Sequence, residues 1–185
     1  MVKILFIVGD YSEDYEVMVP YQLLETVGHE VHIVSPGKKK GDTIQTAVHD
    51  FKPNEQFYFE TAGHVFKLNY SFDDVKEAEY DAIYLPGGRG PEYLRYNKRV
   101  IEIANHFLTA NKPTCAVCHG VLILAATNNI KGRKMTGFYT TQIDLENAGA
   151  VYDGKDEALV DGNLVTGQSY LSHVPMMKEF LKLLK

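Results

Sequence analysis

The runs "KILFIV" (3–8) and the apolar part of "YDAIYLPGG" (80–88) show no alternation of polar and apolar residues. A strand with one face in water is polar at every second position, so strands like these must be buried on both faces. That demands a parallel sheet with helices on either side, and the rest of the chain supplies them. "YEVMVPYQLLETVG" reads as a helix ending at Gly28, with Pro20 near its start, and "HEVHIVS" (29–35) as the next strand. Val100, Ile103, Ala104, Phe107 and Leu108 recur at helical spacing behind Asn97, a natural N-cap. "KPTCAV" (112–117) is a strand and "GVLILAAT" (120–127) a buried helix. "MTGF", "ALVD" and "NLVT" are short late strands, the last two joined at Asp161-Gly162, and "VPMMKEFLKLL" is a closing amphipathic helix.

No repeat or linker divides the 185 residues, so a single domain spanning 1–185 is expected. Segment 42–69 has no clear period and reads as an inserted ribbon or lid. Ligands of open α/β sheets sit at the carboxyl ends of the strands. Loops 9–16, 86–92 and 117–120 are therefore where chemistry is expected.

Composition excludes several classes. With 23% charged residues, a formal net charge of -5 and no long basic run, nucleic acid is not an expected partner. Lys38-Lys39-Lys40, next to Gly37 and Gly41, reads as a solvated turn. The apolar run at the N-terminus is too short for a signal peptide, and no stretch approaches a membrane span. A cytoplasmic location without a membrane partner is expected, and there a structural disulfide is not.

Both cysteines lie in "TCAVCHG" (114–120). C-x-x-C-H admits haem attachment, a redox dithiol or a single reactive thiol. Haem attachment needs export. A dithiol needs its sulfurs within bridging distance, whereas a strand over 113–117 carries Cys115 and Cys118 about 10 Å apart. Cys115 then reads as a small buried hydrophobe. Strand, Cys118-His119-Gly120 and helix together have the form of a nucleophile elbow, and the helix dipole is expected to lower the Cys118 pKa. An inert cysteine at a strand end is the competing reading.

Glu16, among Tyr15, Val17, Met18 and Val19 at the end of the first strand, is either a desolvated acid/base or a solvated first-turn carboxylate. Glu13 and Asp14 read as ordinary loop charges. The amides of Gly87 and Gly88 form either an oxyanion hole with that of His119 or a flexible turn.

"GDYSEDYEVMVP", "AVHDF", "LPGGRGPEYL", "CHGVLILAA" and "GRKMTGF" together resemble the ThiJ/PfpI superfamily, of the class I glutamine amidotransferase-like type. The likeness runs over nearly the whole chain and is strongest to one copy of the unit found in tandem in plant glyoxalase III-type members. It implies a flavodoxin-like open, mostly parallel sheet with a nucleophile elbow. It also implies Cys118 as nucleophile and Glu16 as its proton-relaying partner. In PfpI-like members the position of Glu92 completes a triad with His119 across a subunit interface. A homodimer or larger homo-oligomer is therefore expected, with Phe57, Tyr58 and Phe59 as candidate interface aromatics.

The favoured expectation is cofactor-independent conversion of methylglyoxal or glyoxal to D-lactate or glycolate through a Cys118 hemithioacetal, with Glu16 as acid/base. The partner is a small aldehyde, and no cofactor or metal is required; deglycation is chemically close. Alternatives are a cysteine peptidase or amidase using Cys118, His119 and Glu92, and a non-catalytic redox-sensing stress protein or chaperone. His49 and His173, with Gly87, are expected in the substrate pocket. His49, His64 and His173 make at most a weak metal-site candidate.

Overall fold

The structure, a computed structural model, describes residues 1–185. In chain order the elements are β1 (Lys3–Ile7), α1 (Asp14–Thr26), β2 (Glu30–Val34), β3 (Thr43–Asp50), β4 (Phe59–Lys67), β5 (Ala82–Leu85) and α2 (Gly90–Leu94). They continue with α3 (Lys98–Thr109), β6 (Thr114–Val117), α4 (Val121–Ala126), β7 (Lys134–Met135), α5 (Gln142–Asn147), β8 (Val151–Tyr152), β9 (Ala158–Asp161), β10 (Leu164–Gly167) and α6 (His173–Leu183). The central sheet has the order β2-β1-β5-β6-β10-β9, parallel throughout except for β9 at the edge. This is the flavodoxin-like α/β arrangement expected of doubly buried strands.

Alternation along each strand divides the core in two. Leu5, Ile7, Ile83, Leu85 and Ala116 pack with Val100, Ile103 and Phe107 of α3 and Ile123 and Leu124 of α4. Ile4, Phe6, Tyr84, Cys115 and Val117 face Val17 and Leu24 of α1 and Met176 and Phe180 of α6. Each fully buried aromatic or aliphatic side chain contributes about 1.5–3 kcal/mol. Cys115 belongs to this packing and makes no disulfide.

Several boundaries differ from the sequence reading. The α1 helix begins at Asp14, so Pro20 falls inside it rather than near its start, and the Glu16 carbonyl loses its usual i+4 donor. Of "MTGF" only Met135 is in a strand, as the second residue of the two-residue β7. The hairpin turn between β9 and β10 is Gly162-Asn163, with Asp161 still paired to Leu164. Asn97 does cap α3, accepting from the amides of Arg99 and Val100. Segment 42–69 folds mainly as the antiparallel ribbon β3–β4, with a bulge between Gln45 and Ala47. No helix is long and apolar enough to cross a membrane.

Candidate active site

The three expected loops meet at the carboxyl ends of β1, β5 and β6. Loop 9–13 is the middle layer: the Arg89 amide donates to Tyr11 O (2.8 Å), the Glu13 amide to Gly87 O (3.2 Å), and the Ala47 amide to Ser12 O (2.9 Å). One short segment thus joins the glycine loop to the ribbon.

Cys118 follows β6 with φ +56°, a left-handed conformation that costs energy for any residue but glycine. This is the elbow, and it lifts the side chain off the strand. Gly120 is required because a Cβ there would collide with the backbone of Leu85 and Pro86. Gly87 is equally constrained, since its Cβ would lie 2.5 Å from Cys118 Cβ and 2.6 Å from Glu16 Oε2. Gly88 has φ +78°. The amides of Gly88 and His119 both face the sulfur and favour its thiolate.

Glu16 is fully buried. Its Oε2 accepts from the Gly87 amide at 2.7 Å, while Oε1 is buried and closes no hydrogen bond. Burial first, and Glu13 second, push its pKa well up; hydrogen bonding with the Gly87 amide, the Cys118 thiol and the Tyr170 backbone opposes this. The solvated reading of Glu16 is thereby overturned. The expected fall in the Cys118 pKa is also corrected, because desolvation and the two carboxyls raise it, outweighing the amides. In the closed pocket the carboxyl opposes ionisation of the thiol, whereas the un-ionised thiol, as a hydrogen-bond donor, favours the carboxylate.

Glu13 and Asp14 are not ordinary loop charges. Glu13 is 2% exposed and caps α1 by accepting from the Glu16 amide at 2.9 Å; burial raises its pKa to about 7. Asp14 clasps helix to ribbon through the Thr46 hydroxyl and the His64 amide and ring. Burial opposes its ionisation, but those bonds prevail and its pKa is lowered. The spacing Glu13-x-x-Glu16 at a helix start was the available clue to the cap.

His119 is buried, with Nδ1 3.3 Å from Cys118 Sγ. Burial depresses its pKa to about 4, so the ring is neutral. It stacks on Phe138 at 5.1 Å. Phe51, Tyr58 and Tyr170 extend this aromatic wall around Cys118, itself 1% exposed. Tyr58 is half-buried against His49 at 4.1 Å, unlike the exposed interface aromatic expected. Phe57 and Phe59 are exposed.

A cleft of about 640 Å³ is lined by Glu13, His49 and Tyr170 among others, and Glu13 and Tyr170 in turn act on Glu16. His49 lines it; His173 does not. The expected pocket role of His173 is corrected: it is buried at the start of α6, Nε2 has no partner, and burial lowers its pKa to about 4. His64 is exposed beside Asp14, so the three histidines do not converge. Glu92, exposed in the first turn of α2, lines a second cleft of about 370 Å³ with His119, Arg95 and Asp144. No hydrogen bond joins Glu92 to His119 within the chain.

Fold and site together define an α/β protein of the nucleophile-elbow type, with a buried thiol set against a buried carboxyl. The sequence profile of the DJ-1/PfpI family matches residues 2–183, and the chain belongs to that family. It is 46% identical over 184 residues to protein DJ-1 homolog D of Arabidopsis thaliana, covering 98% of this chain and 47% of the relative. The chain thus spans about half the length of that plant protein. It is 38% identical to deglycase PfpI of Pyrococcus furiosus, covering 99% of each. Among solved structures, Schizosaccharomyces pombe DJ-1 superposes with TM-score 0.81 at 19% identity, covering 100% of this chain and 92% of the other. At that identity the likeness concerns the fold.

Proposed function

We propose that this chain converts small α-oxoaldehydes, methylglyoxal and glyoxal, to D-lactate and glycolate without a cofactor. The observation that carries this reading is the fully buried Glu16, its Oε1 unbonded, set against the Cys118 thiol. Sγ adds to the aldehyde carbon as Glu16 takes the thiol proton and returns it to the new oxygen, which the Gly88 and His119 amides stabilise. Ionised again, Glu16 moves a proton from the aldehyde carbon to its neighbour. Water then cleaves the resulting thioester. One carbon is oxidised and the adjacent one reduced, so no external electron acceptor is needed. A raised carboxyl pKa suits a group that must both give and accept a proton.

A second reading is favoured by a separate contact, His119 Nδ1 at 3.3 Å from Sγ, with Glu92 in the adjoining cleft. That pair suits hydrolysis of an acyl or early glycation adduct, in keeping with the name deglycase carried by the Pyrococcus relative. The test is D-lactate from methylglyoxal with purified protein, free of glutathione and added cofactor. Turnover lost in both Cys118→Ser and Glu16→Gln supports the first reading. No turnover by reduced wild-type protein overturns it and turns attention to amide and glycated substrates, with His119→Ala as the variant.

A further inference from the structure

We infer that His49 is a second proton-transfer group, carrying a proton between the two oxygens of the bound adduct while Glu16 carries one between its two carbons. This role presupposes the aldehyde chemistry proposed above. His49 lies on β3, 2% exposed, with Nε2 2.9 Å from Oε2 of Glu60, its direct partner on β4. Arg89, just after Gly87-Gly88, grips Glu60 with Nε at 2.8 Å and a second guanidinium nitrogen at 2.7 Å. The histidine is thereby tied to the loop whose Gly88 amide faces Cys118 Sγ. The ring stacks on Tyr58 at 4.1 Å and lines the same cleft as Glu13 and Tyr170. Its Nδ1 is buried and has no partner.

These contacts set the tautomer. Partial burial opposes ionisation of Glu60, but His49 and Arg89 outweigh it and hold the carboxyl below its ordinary value. An ionised Glu60 accepts only, so Nε2 carries the hydrogen and Nδ1 presents a lone pair. Burial lowers the His49 pKa against the opposing pull of Glu60 and Glu92, with Arg89 adding to the fall, and the ring is neutral. The Glu13 carboxyl faces it from α1 at its backbone amide, 3.5 Å away. An imidazole oriented by a carboxylate, with its other nitrogen unbonded, is built as a base.

The step balances as follows. Glu16 removes the hydrogen of the thiol-bearing carbon as a proton, that C–H pair forms a carbon–carbon double bond, and the neighbouring carbonyl becomes an oxyanion. Nδ1 takes the hydroxyl proton from the first oxygen and delivers it to the second. The first oxygen re-forms a carbonyl as the second carbon takes the proton held by Glu16. The product is the thioester of a 2-hydroxy acid.

The test compares wild type, His49→Gln and His49→Gly exposed to methylglyoxal, following loss of titratable thiol (adduct formation) and D-lactate separately. Thiol masking should persist in both variants, while lactate falls about 10²–10³-fold, and added imidazole should restore lactate formation in His49→Gly. Lactate formation by wild type that His49→Gln does not diminish overturns this role and leaves the proposed function standing. A lactate loss that imidazole does not relieve assigns the ring to packing against Tyr58 and also overturns it. Wild type that masks its thiol yet makes no lactate overturns the function and this role together.

Discussion

Strand β6 and the elbow that follows it place two cysteines three residues apart, in surroundings that look alike by burial and differ in everything else. Cys115 is fully buried and Cys118 is 1% exposed, and desolvation raises both thiols. For Cys115 desolvation is the whole effect. Cys118 has in addition two amides that favour the thiolate, a carboxyl that can exchange a proton with it, and an imidazole nitrogen at 3.3 Å. Burial makes a cysteine inert; what makes it usable is a set of partners that act once substrate displaces the balance.

The contrast is broken most directly by removing each sulfur. Cys118→Ser should lower lactate formation from methylglyoxal by at least about 10³-fold, whereas Cys115→Ser should leave turnover within about threefold while costing about 1–3 kcal/mol for an ill-partnered buried hydroxyl. Loss of turnover in Cys115→Ser at full folding would make the strand cysteine part of the chemistry. Glu16→Gln comes next, with turnover down about 10²–10³-fold.

The third prediction concerns pH. Glu13 titrates at about 7 in the folded chain against 4.5 as its ordinary value, so between these the native state binds more protons than the unfolded state. Stability must then fall as pH rises through that window, by up to about 3 kcal/mol. Glu13→Gln should flatten the slope in chemical denaturation at pH 5 and pH 8. The histidines act in the opposite sense. His119 and His173 are lowered to about 4 from 6.5, so the unfolded state binds more protons in that range and stability drains as pH falls. His173→Phe should remove about 1–3 kcal/mol of that acid loss, without the effect on turnover expected at the elbow. The smallest effect is kinetic: a small alkylating agent should modify Cys118 slowly and Cys115 only on unfolding, so mass spectrometry of the native protein should find a single adduct.

The sheet could be read from the sequence because doubly buried strands have no polar alternation to confuse, and Asn97 marked its helix start by capping chemistry alone. Cys118, Gly87 and Gly88 were legible as a strand–turn–helix pattern with small residues where backbones approach. What could not be read depends on long-range packing. Glu13 is buried because Ala47 of the ribbon bridges to it, a contact no local pattern announces. The thiol pKa was misread because a helix dipole is visible in sequence whereas desolvation is not. The α4 helix is also short, and it follows a 3₁₀ turn over residues 118–120. His173 looked like a pocket residue and is a buried helix-start histidine.

The site's parts come from distant stretches of chain: Glu16 and the Gly87 amide that binds it are 71 residues apart, and Cys118 lies further on. None of the three has the others nearby until β1, β5 and β6 are in register. A chain still being synthesised, or one partly unfolded, therefore carries two ordinary thiols and an ordinary glutamate. On the proposed function, turnover of aldehyde to hydroxy acid requires the completed fold, which makes the rate of lactate formation, unlike simple thiol masking, a gauge of how much of a preparation is correctly folded.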